Sequence, residues 1–347
     1  MDHPYRVAPD RAFWARAVAT AWSPASLARA SAPLLTRGET VASAGSCFAA
    51  NIVPYLEAAG IDYVRTETPP PAFRDVYVEA FGYHRFSAAY GHIYTARHLL
   101  QLLQRALGMF RPAEDRWYGE DRVIDPFRPG LAFPAASDTE FDVLTAQHLD
   151  RVIAALRQAD VFVFTLGLTE AWVSRLDGAV FPACPGTIAG AFDPARHAFR
   201  NFTAAETTAD LLAAFALIRT VNPDIRFVLT VSPVPLAATA TTNHVLAASL
   251  YSKSVLRVAA QEVTLALPHV CYFPAYEIVS GPQAPHDFYA ANRRDVSRAA
   301  IDTVMAAFLS ACDLGALPAA QAPAPDAGAA LSALIADAEC EEEASGR

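Results

Sequence analysis

One serine of the sequence stands where a nucleophile for acyl transfer would be expected. Ser46 follows Gly45 at the end of a short apolar run, residues 40–44, and precedes a segment typical of a helix. Glycine permits the sharp turn that this junction requires, and a backbone N–H group at a helix start can stabilise a developing oxyanion. Ser46 is therefore the candidate nucleophile; the alternative role for a serine at this position is a helix N-cap.

The neighbouring cysteine offers a second nucleophile. A thiol at a helix N-terminus has a lowered pKa, so a Cys47 thiolate is an alternative to the Ser46 hydroxyl. Consecutive helix residues point about 100° apart, so the two side chains are not expected to face the same site. The five cysteines form no Cys-x-x-Cys pair, and we therefore predict no metal, no cofactor and no disulfide framework.

The elements that must position these residues follow from hydrophobic patterning. Five short apolar runs, most of them rich in Val, Ile, Phe or Tyr, predict buried strands, and helical periodicity lies between them. This alternation predicts an α/β fold with a parallel sheet covered by helices on both faces. The predicted strands are 40–44, 61–65, 161–165, 227–231 and 270–273, and the predicted helices are 48–59, 96–107, 146–158, 204–221, 245–267 and 296–311.

Segments outside this pattern suggest the domain organisation. Residues 1–35 are predicted to form an N-terminal arm, with a short helix over 11–20 that Trp14 and Trp22 fix to the body. Residues 36–313 form the predicted catalytic domain, and its stretch 69–135 is a long insertion near the site. Residues 314–347 are rich in Ala and Pro and acidic near the end, which predicts a flexible tail.

Polar residues and turn-forming residues follow the predicted strands at the same relative position. The segments are 44–51, 165–172, 232–235 and 274–277. Because the carboxyl ends of parallel strands meet at one edge of a sheet, these four segments should converge there and form the site. Glu170 and Glu277, which lie in two of them, could orient a catalytic base or a substrate.

The composition excludes several functional classes. The chain has 347 residues, a net charge of −9 and a hydrophobic fraction of 53%, which is enough apolar material for a sizeable core. The acidic balance argues against nucleic-acid binding. The sequence also lacks a run of about 18 apolar residues, which a membrane-spanning helix would need. The first residues lack the apolar stretch of a secretory signal, so a cytoplasmic protein is expected.

Several motifs resemble one known family. The residues Gly45-Ser46-Cys47-Phe48-Ala49 match the signature of the GSCFA family, and segments 86–103, 159–172, 226–236, 251–257 and 272–279 are similar to that family in the same order. The family is similar to SGNH-type hydrolases. The resemblance implies a flavodoxin-like three-layer α/β/α sandwich with strand order 2-1-3-4-5, and a nucleophile at Ser46.

The resemblance also implies oxyanion-binding and substrate-binding positions. Gly91 matches the second oxyanion-hole donor, and Gly167 opens the block that is normally Gly-x-Asn-Asp. Thr169 occupies the Asn position of that block, so a hydroxyl would replace an amide as the donor.

The general base is the point where the sequence departs from the SGNH pattern. SGNH-type hydrolases carry Asp-x-x-His before the last helix, whereas this chain has no such motif, and Asp295 stands where the histidine would be. A carboxylate is a weak base for a serine. Alternative bases are His244, His92, His286 and Lys253, the last being the only lysine of the chain.

These observations predict a serine-dependent ester hydrolase that acts on an acylated carbohydrate or a similar small hydroxyl ester. The alternatives are an acyltransferase that uses the same serine, and a binding module that keeps the pocket without a base. The sequence does not predict an oligomeric state.

Overall fold

The computed structural model describes residues 3–29, 32–68, 83, 85–131 and 134–315. Its ten strands within these ranges are β1 (Thr40–Gly45), β2 (Asp62–Tyr63), β3 (Trp117–Gly119), β4 (Arg122–Ile124), β5 (Val161–Leu166), β6 (Glu170–Ser174), β7 (Val180–Phe181), β8 (His197–Asn201), β9 (Arg226–Val231) and β10 (Val270–Phe273). Five of them form a parallel sheet in the order β2-β1-β5-β9-β10. Counted among themselves, these strands have the order 2-1-3-4-5, which confirms the order implied by the resemblance.

Helices cover both faces of this sheet, so the three-layer α/β/α arrangement is confirmed. The α-helices of the described chain are α1 (Pro24–Ala28), α2 (Cys47–Ala50), α3 (Val53–Ala58), α4 (Ala96–Ala106), α5 (Asp138–Gln158), α6 (Ala204–Val221), α7 (Val245–Ala266), α8 (Ala275–Ser280) and α9 (Arg298–Ser310). Short 3-10 turns occur at Pro4–Arg6, Asp10–Ala12 and His286–Phe288, and Ala15–Thr20 is a π-helix.

The core consists of two apolar layers separated by the sheet. Alternate strand residues point to opposite faces. Phe164 of β5 therefore packs with Leu103 of α4 and Phe215 of α6 in one layer, whereas Val163 packs with Phe308 of α9 in the other. Because both faces are covered, β5 is buried along its whole length, which explains its continuous apolar sequence.

Most predicted helices are confirmed, and two boundaries differ. The segment predicted as one helix over 48–59 is two short helices, α2 and α3, with Pro54 in the first turn of α3. Helix α5 begins at Asp138 rather than at residue 146, because the Ser137 hydroxyl caps it by accepting a hydrogen bond from the Glu140 N–H group. The first two turns of α5 mix polar residues with Phe141, Val143 and Leu144, two of which are exposed, so their apolar periodicity is weaker than that of the rest.

The N-terminal arm is attached to the body at its end rather than by Trp14, whereas Trp22 is half-buried. Trp14 is 65% exposed, so the expectation that it fixes the arm is wrong. Leu34 and Leu35 are instead fully buried in the layer that contains α9. The Leu34 N–H group also donates to the Ala311 carbonyl at 2.9 Å. The last residues of the predicted arm therefore belong to the core.

Two small antiparallel sheets were not predicted from the sequence. Strands β3 and β4 form a hairpin, and β7, β6 and β8 form a three-stranded sheet after the carboxyl end of β5. Trp117 and Phe127 of the predicted insertion pack with Phe181 of β7 in a small apolar cluster. Much of the insertion, residues 69–82, 84 and 132–133, and the predicted tail from residue 316 onward lie outside the described residues.

Two features are absent from the described ranges of the chain. No helix there is both long enough and apolar enough to cross a bilayer. In the same ranges no group of three or more His, Cys, Asp or Glu side chains is arranged to hold a metal ion.

A buried histidine makes the stability of the fold sensitive to acid. Burial, and secondarily the Arg105 charge, lower the pKa of His98 to about 4, whereas an unfolded chain has a histidine pKa near 6.5. The unfolded state therefore binds more protons between these values, and the free energy of unfolding falls as the pH decreases from about 6.5 to about 4. We expect His98 to contribute about 1.4 kcal/mol to the loss between pH 7.5 and 5.5.

Urea unfolding at the two pH values tests this expectation. His98→Gln should reduce the pH-dependent loss by that amount, because the glutamine does not titrate, and His286→Gln at an exposed position serves as the control. An unchanged pH dependence in His98→Gln would contradict the assignment.

Candidate active site

The position of Ser46 is set by the backbone at the end of β1. Gly45 has a φ of +145°, and a Cβ atom there would lie 2.4 Å from the Thr165 carbonyl oxygen of β5, so only glycine fits. Ser46 occupies the N-cap position of α2, yet its hydroxyl makes no capping bond. The side chain is 2% exposed, and among the described residues its Oγ atom has no hydrogen-bond partner. The N-cap alternative therefore does not account for this serine.

A cavity of about 330 Å³ lies next to Ser46 at the carboxyl edge of the sheet. Its wall combines aromatic and apolar groups with a few polar ones. The aromatic residues are Tyr94, Trp172 and Phe199, the apolar ones include Leu168, Pro182, Val234, Pro235 and Leu236, and the polar ones are Glu170, Cys184, Thr187, Ser232, Thr239 and Arg294. Strands β6 and β8 thus supply one wall, and the loop after β9 supplies another.

The loop after β5 packs tightly against the serine. A Cβ atom on Gly167 would lie 2.9 Å from the Ser46 Cβ atom and 3.1 Å from the Tyr94 carbonyl oxygen. On its other side, the Gly167 carbonyl accepts a hydrogen bond of 2.7 Å from the Nζ atom of Lys253. Lys253 is buried and does not line the cavity. Its place in the structure is therefore behind the Gly167 peptide, which it holds in position.

Several groups beside Ser46 that could donate to an oxyanion are engaged elsewhere. The Ser46 N–H group donates to the Thr165 carbonyl at 3.2 Å, and the N–H groups of Gly167 and Leu168 donate to the Tyr94 carbonyl at 3.1 and 2.9 Å. The Thr169 hydroxyl donates to Asn201 Oδ1 at 2.7 Å. None of these groups is aimed at the cavity as the resemblance implied.

Gly91 and Thr169 also lie outside the cavity wall. Gly91 has a φ of +64° and no atom within 4 Å of the place of a Cβ atom, which fits a turn rather than a tightly packed donor. The Thr169 N–H group donates to Ser252 Oγ at 3.1 Å, so this residue joins the loop to α7. The structure thus brings Gly167 to Ser46 but does not bring Gly91 or the Thr169 side chain into the cavity.

The three histidines weighed as bases are separated from the cavity lining. His244 is exposed at the start of α7, where its Nδ1 atom accepts a hydrogen bond of 3.2 Å from the Leu246 N–H group. His286 is exposed in a 3-10 turn. His92 is buried beside Tyr94, and burial lowers its pKa to about 3. None of them lines the cavity, and the side chain of Cys47 lies outside what the structure describes.

The loop before α9 places an arginine, rather than Asp295, on the cavity wall. The Ala290 N–H group donates to the Asp295 carbonyl at 2.8 Å, and Arg293 adopts a left-handed conformation with a φ of +58°. Asp295 faces Asn292 and Arg294, with 3.3 Å between its Oδ1 atom and Arg294 Nη1. Its carboxylate therefore orients the Arg294 guanidinium, which lines the same cavity as Ser46.

The two glutamates at strand ends have different surroundings. Glu277 accepts hydrogen bonds from Arg257 Nε at 2.7 Å and from the Tyr272 hydroxyl at 2.8 Å, and it does not line the cavity. Glu170 does line it, and its Oε1 atom accepts a hydrogen bond of 2.7 Å from the Thr239 hydroxyl. Among the described cavity-lining residues, Glu170 is the only carboxylate.

Sequence reasoning missed Arg294 and the aromatic wall. Arg294 adjoins Asp295, which the motif comparison did locate, and it follows Arg293, whose left-handed conformation the sequence does not indicate. Trp172 and Phe199 are neighbours across β6 and β8, and the pairing of these two strands has no sequence signal as short as a hairpin turn. The short apolar run 171–173 was the available hint.

These features define an α/β protein of the doubly wound type with a buried serine at the end of its first strand and a cavity beside it. The chain belongs to the GSCFA family, whose model matches residues 40–308.

Comparison with solved structures gives distant likenesses. One is a family 3 carbohydrate esterase from Talaromyces cellulolyticus, at 10% identity over 86% of this chain and 99% of that chain, with a TM-score of 0.32. Another is a family 3 carbohydrate esterase from Clostridium thermocellum, at 11% identity over 79% and 93%, with a TM-score of 0.33. No curated protein sequence matches the chain.

The close contact between Gly167 and Ser46 yields a prediction for stability. Gly167→Ala should lower the free energy of unfolding by about 1–3 kcal/mol, because the new methyl group meets the Ser46 Cβ atom and a backbone oxygen that cannot move independently. Gly119→Ala is the matched control, since a Cβ atom there meets mainly the flexible Arg122 side chain. Urea denaturation measures both; equal effects of the two substitutions would contradict the tight contact.

Proposed function

We propose that Ser46 is the nucleophile of an ester hydrolase that acts on a hydroxyl ester such as an acylated carbohydrate. The observation that supports this proposal is the buried Ser46 hydroxyl, which lies on the cavity wall without a hydrogen-bond partner among the described residues. Buried polar groups are normally hydrogen-bonded, and an exception calls for an explanation such as a catalytic role. A reacting carbonyl group in the cavity would supply the missing partner.

The proposed reaction proceeds in two steps. In the first step, the Ser46 Oγ atom forms a bond to the ester carbonyl carbon, the bond to the alcohol oxygen breaks, and the serine proton leaves with the alcohol. In the second step, water attacks the acyl-serine, which releases the carboxylic acid and restores the hydroxyl. With an added alcohol in place of water, the same intermediate would give acyl transfer, which is the alternative with shared chemistry.

Glu170 is the proposed proton carrier. It is the only carboxylate among the described residues that line the cavity, and the bond from the Thr239 hydroxyl fixes its orientation. It would accept the proton from Ser46 and return it to the departing alcohol. Because carboxylates are weaker bases than imidazole at neutral pH, and because the nearby amide donors are engaged, we expect slow turnover.

A non-catalytic binding module is the second candidate. The observation that favours it is the absence of an imidazole from the cavity wall, as far as the described residues form that wall. A pocket of this kind would keep the shape of an esterase site and bind the ester or its alcohol without cleaving it. Covalent labelling separates the two candidates, since only an activated serine reacts.

Labelling with an alkyl fluorophosphonate tests the nucleophile. The intact protein should be modified at Ser46, as shown by mass spectrometry of the labelled peptide, and should hydrolyse 4-nitrophenyl acetate slowly. Ser46→Ala should abolish both, because removal of a nucleophile typically costs several orders of magnitude in rate. Its fold should persist, because the Ser46 hydroxyl makes no capping bond that could be lost. Glu170→Gln should slow both reactions by about 10²- to 10⁴-fold.

Ser232→Ala provides the matched control. Ser232 is a second buried serine on the cavity wall, and its Oγ atom accepts a hydrogen bond of 3.3 Å from the Val234 N–H group. This variant should be labelled at Ser46 as before. In the wild type, label on Ser232 instead of Ser46 would refute the assignment. A wild type that is neither labelled nor active would favour the binding module.

A further inference from the structure

Two charged side chains of opposite sign lie among the described residues that line the cavity beside Ser46. One is the Arg294 guanidinium and the other is the Glu170 carboxylate. Glu170 already accepts hydrogen bonds from the Thr239 hydroxyl at 2.7 Å and from the Ala240 N–H group at 3.4 Å. Both donors belong to the loop after β9, and neither carries a charge. Arg294, which Asp295 orients, is the only cation among the described residues of the wall.

The turn that carries Arg294 is built to hold it in place. Residues 289 and 296 form an isolated antiparallel bridge, and the Arg293 N–H group donates to the Ala290 carbonyl at 2.9 Å. The Asn292 side chain accepts hydrogen bonds from the N–H groups of Arg294 and Asp295, each at 3.0 Å. The left-handed φ of +58° at Arg293 completes the turn. A non-glycine residue in this conformation is uncommon, and here it accompanies an inward-facing neighbour.

Burial increases the electrostatic effect of this arginine. The Arg294 side chain is only 17% exposed, and its Nη1 atom forms an ion pair of 3.3 Å with Asp295 Oδ1. A guanidinium that is shielded from water attracts an anion more strongly than an exposed one does. Its planar fork of N–H groups matches a carboxylate, with which it forms two parallel hydrogen bonds.

We propose that Arg294 recognises a carboxylate group on the ester substrate, so that the site selects acidic esters over neutral ones. This inference rests on the proposed function, since it assigns the substrate class of the Ser46 site. A carboxylate fits better than a phosphate monoester, because Arg294 is the only cation of the described wall and a phosphate carries nearly two negative charges. The carboxylate can belong to the acyl part or to the alcohol part of the ester.

Paired substrates distinguish these two sources. For the acyl part, the pair is 4-nitrophenyl hemisuccinate and 4-nitrophenyl acetate. For the alcohol part, the pair is the methyl glycoside of O-acetyl-galacturonic acid and that of O-acetyl-galactose. In the wild type, kcat/KM should be higher for the acidic member of at least one pair. Arg294→Gln should reduce this acidic-to-neutral ratio by about 10- to 100-fold, as expected for the loss of a charged, bidentate contact.

Arg293→Gln is the matched control, because it removes the same charge from the adjacent, exposed position and Arg293 does not line the cavity. The acidic-to-neutral ratio should stay within about twofold of the wild type. If the two substitutions reduced the acidic-to-neutral ratio equally, the preference would come from the overall electrostatic field of the protein and not from a contact with Arg294. If Arg294→Gln lowered kcat/KM equally for both members of a pair, the arginine would instead stabilise the oxyanion or the fold. Either result overturns the inference, as does a wild type without preference for the acidic member of either pair.

A binding measurement separates failure of this inference from failure of the proposed function. If no ester is hydrolysed, the proposed function fails, and saturation-transfer NMR with monomethyl succinate and dimethyl succinate decides the role of Arg294 independently of turnover. Preferential binding of the anionic monomethyl ester, lost in Arg294→Gln and retained in Arg293→Gln, would support the inference. Equal binding of the two esters would refute it.

Discussion

The close approach of β1 and β5 at Gly45 determines the geometry of the whole site. Gly45 is paired with Thr165 in the parallel register, and a Cβ atom at Gly45 would overlap the Thr165 carbonyl oxygen. The next N–H group, that of Ser46, donates to this same oxygen. Ser46 is therefore fixed at the sheet edge by backbone contacts alone, and Gly167, two residues beyond Thr165, closes against its Cβ atom. Because the backbone fixes the position, the hydroxyl is left available for a ligand.

The sheet was predictable because its strands are buried on both faces, which leaves continuous apolar runs in the sequence. Helix ends were predictable where a cap is local, as at Thr95, whose hydroxyl accepts a hydrogen bond from the His98 N–H group. The strand order came from the family resemblance and not from the runs themselves. The sheet of β6, β7 and β8 was missed because its strands are short and only partly buried, and because β8 pairs with β6 across more than twenty intervening residues.

The site was predictable only in its local part. Ser46 was identified because glycine, serine and a helix start are contiguous in sequence, and the Gly167 block was identified for the same reason. The hydrogen-bond partner of the Thr169 hydroxyl was not predictable, because it is Asn201, a residue 32 positions away. The residue of the loop before α9 that faces the cavity was not predictable either, because it follows Arg293, whose left-handed conformation the sequence does not indicate. Side-chain direction in irregular loops depends on such single dihedral angles, which no periodicity in the sequence reports.

The loop before α9 carries a charged arginine on the cavity wall, in the segment where SGNH-type hydrolases carry their histidine. A histidine in this loop would supply a base, whereas Asn292 and Asp295 here use their polar atoms to fix the turn and to orient Arg294. A guanidinium remains protonated at any physiological pH, so it cannot remove a proton from Ser46, but it can hold an anion in a fixed orientation. Holding a substrate close to a nucleophile lowers the entropic part of the barrier without making the nucleophile more reactive. In the proposed reaction, selectivity comes from this loop and proton transfer falls to Glu170, so substrate charge should matter more to the efficiency of the site than the strength of its base.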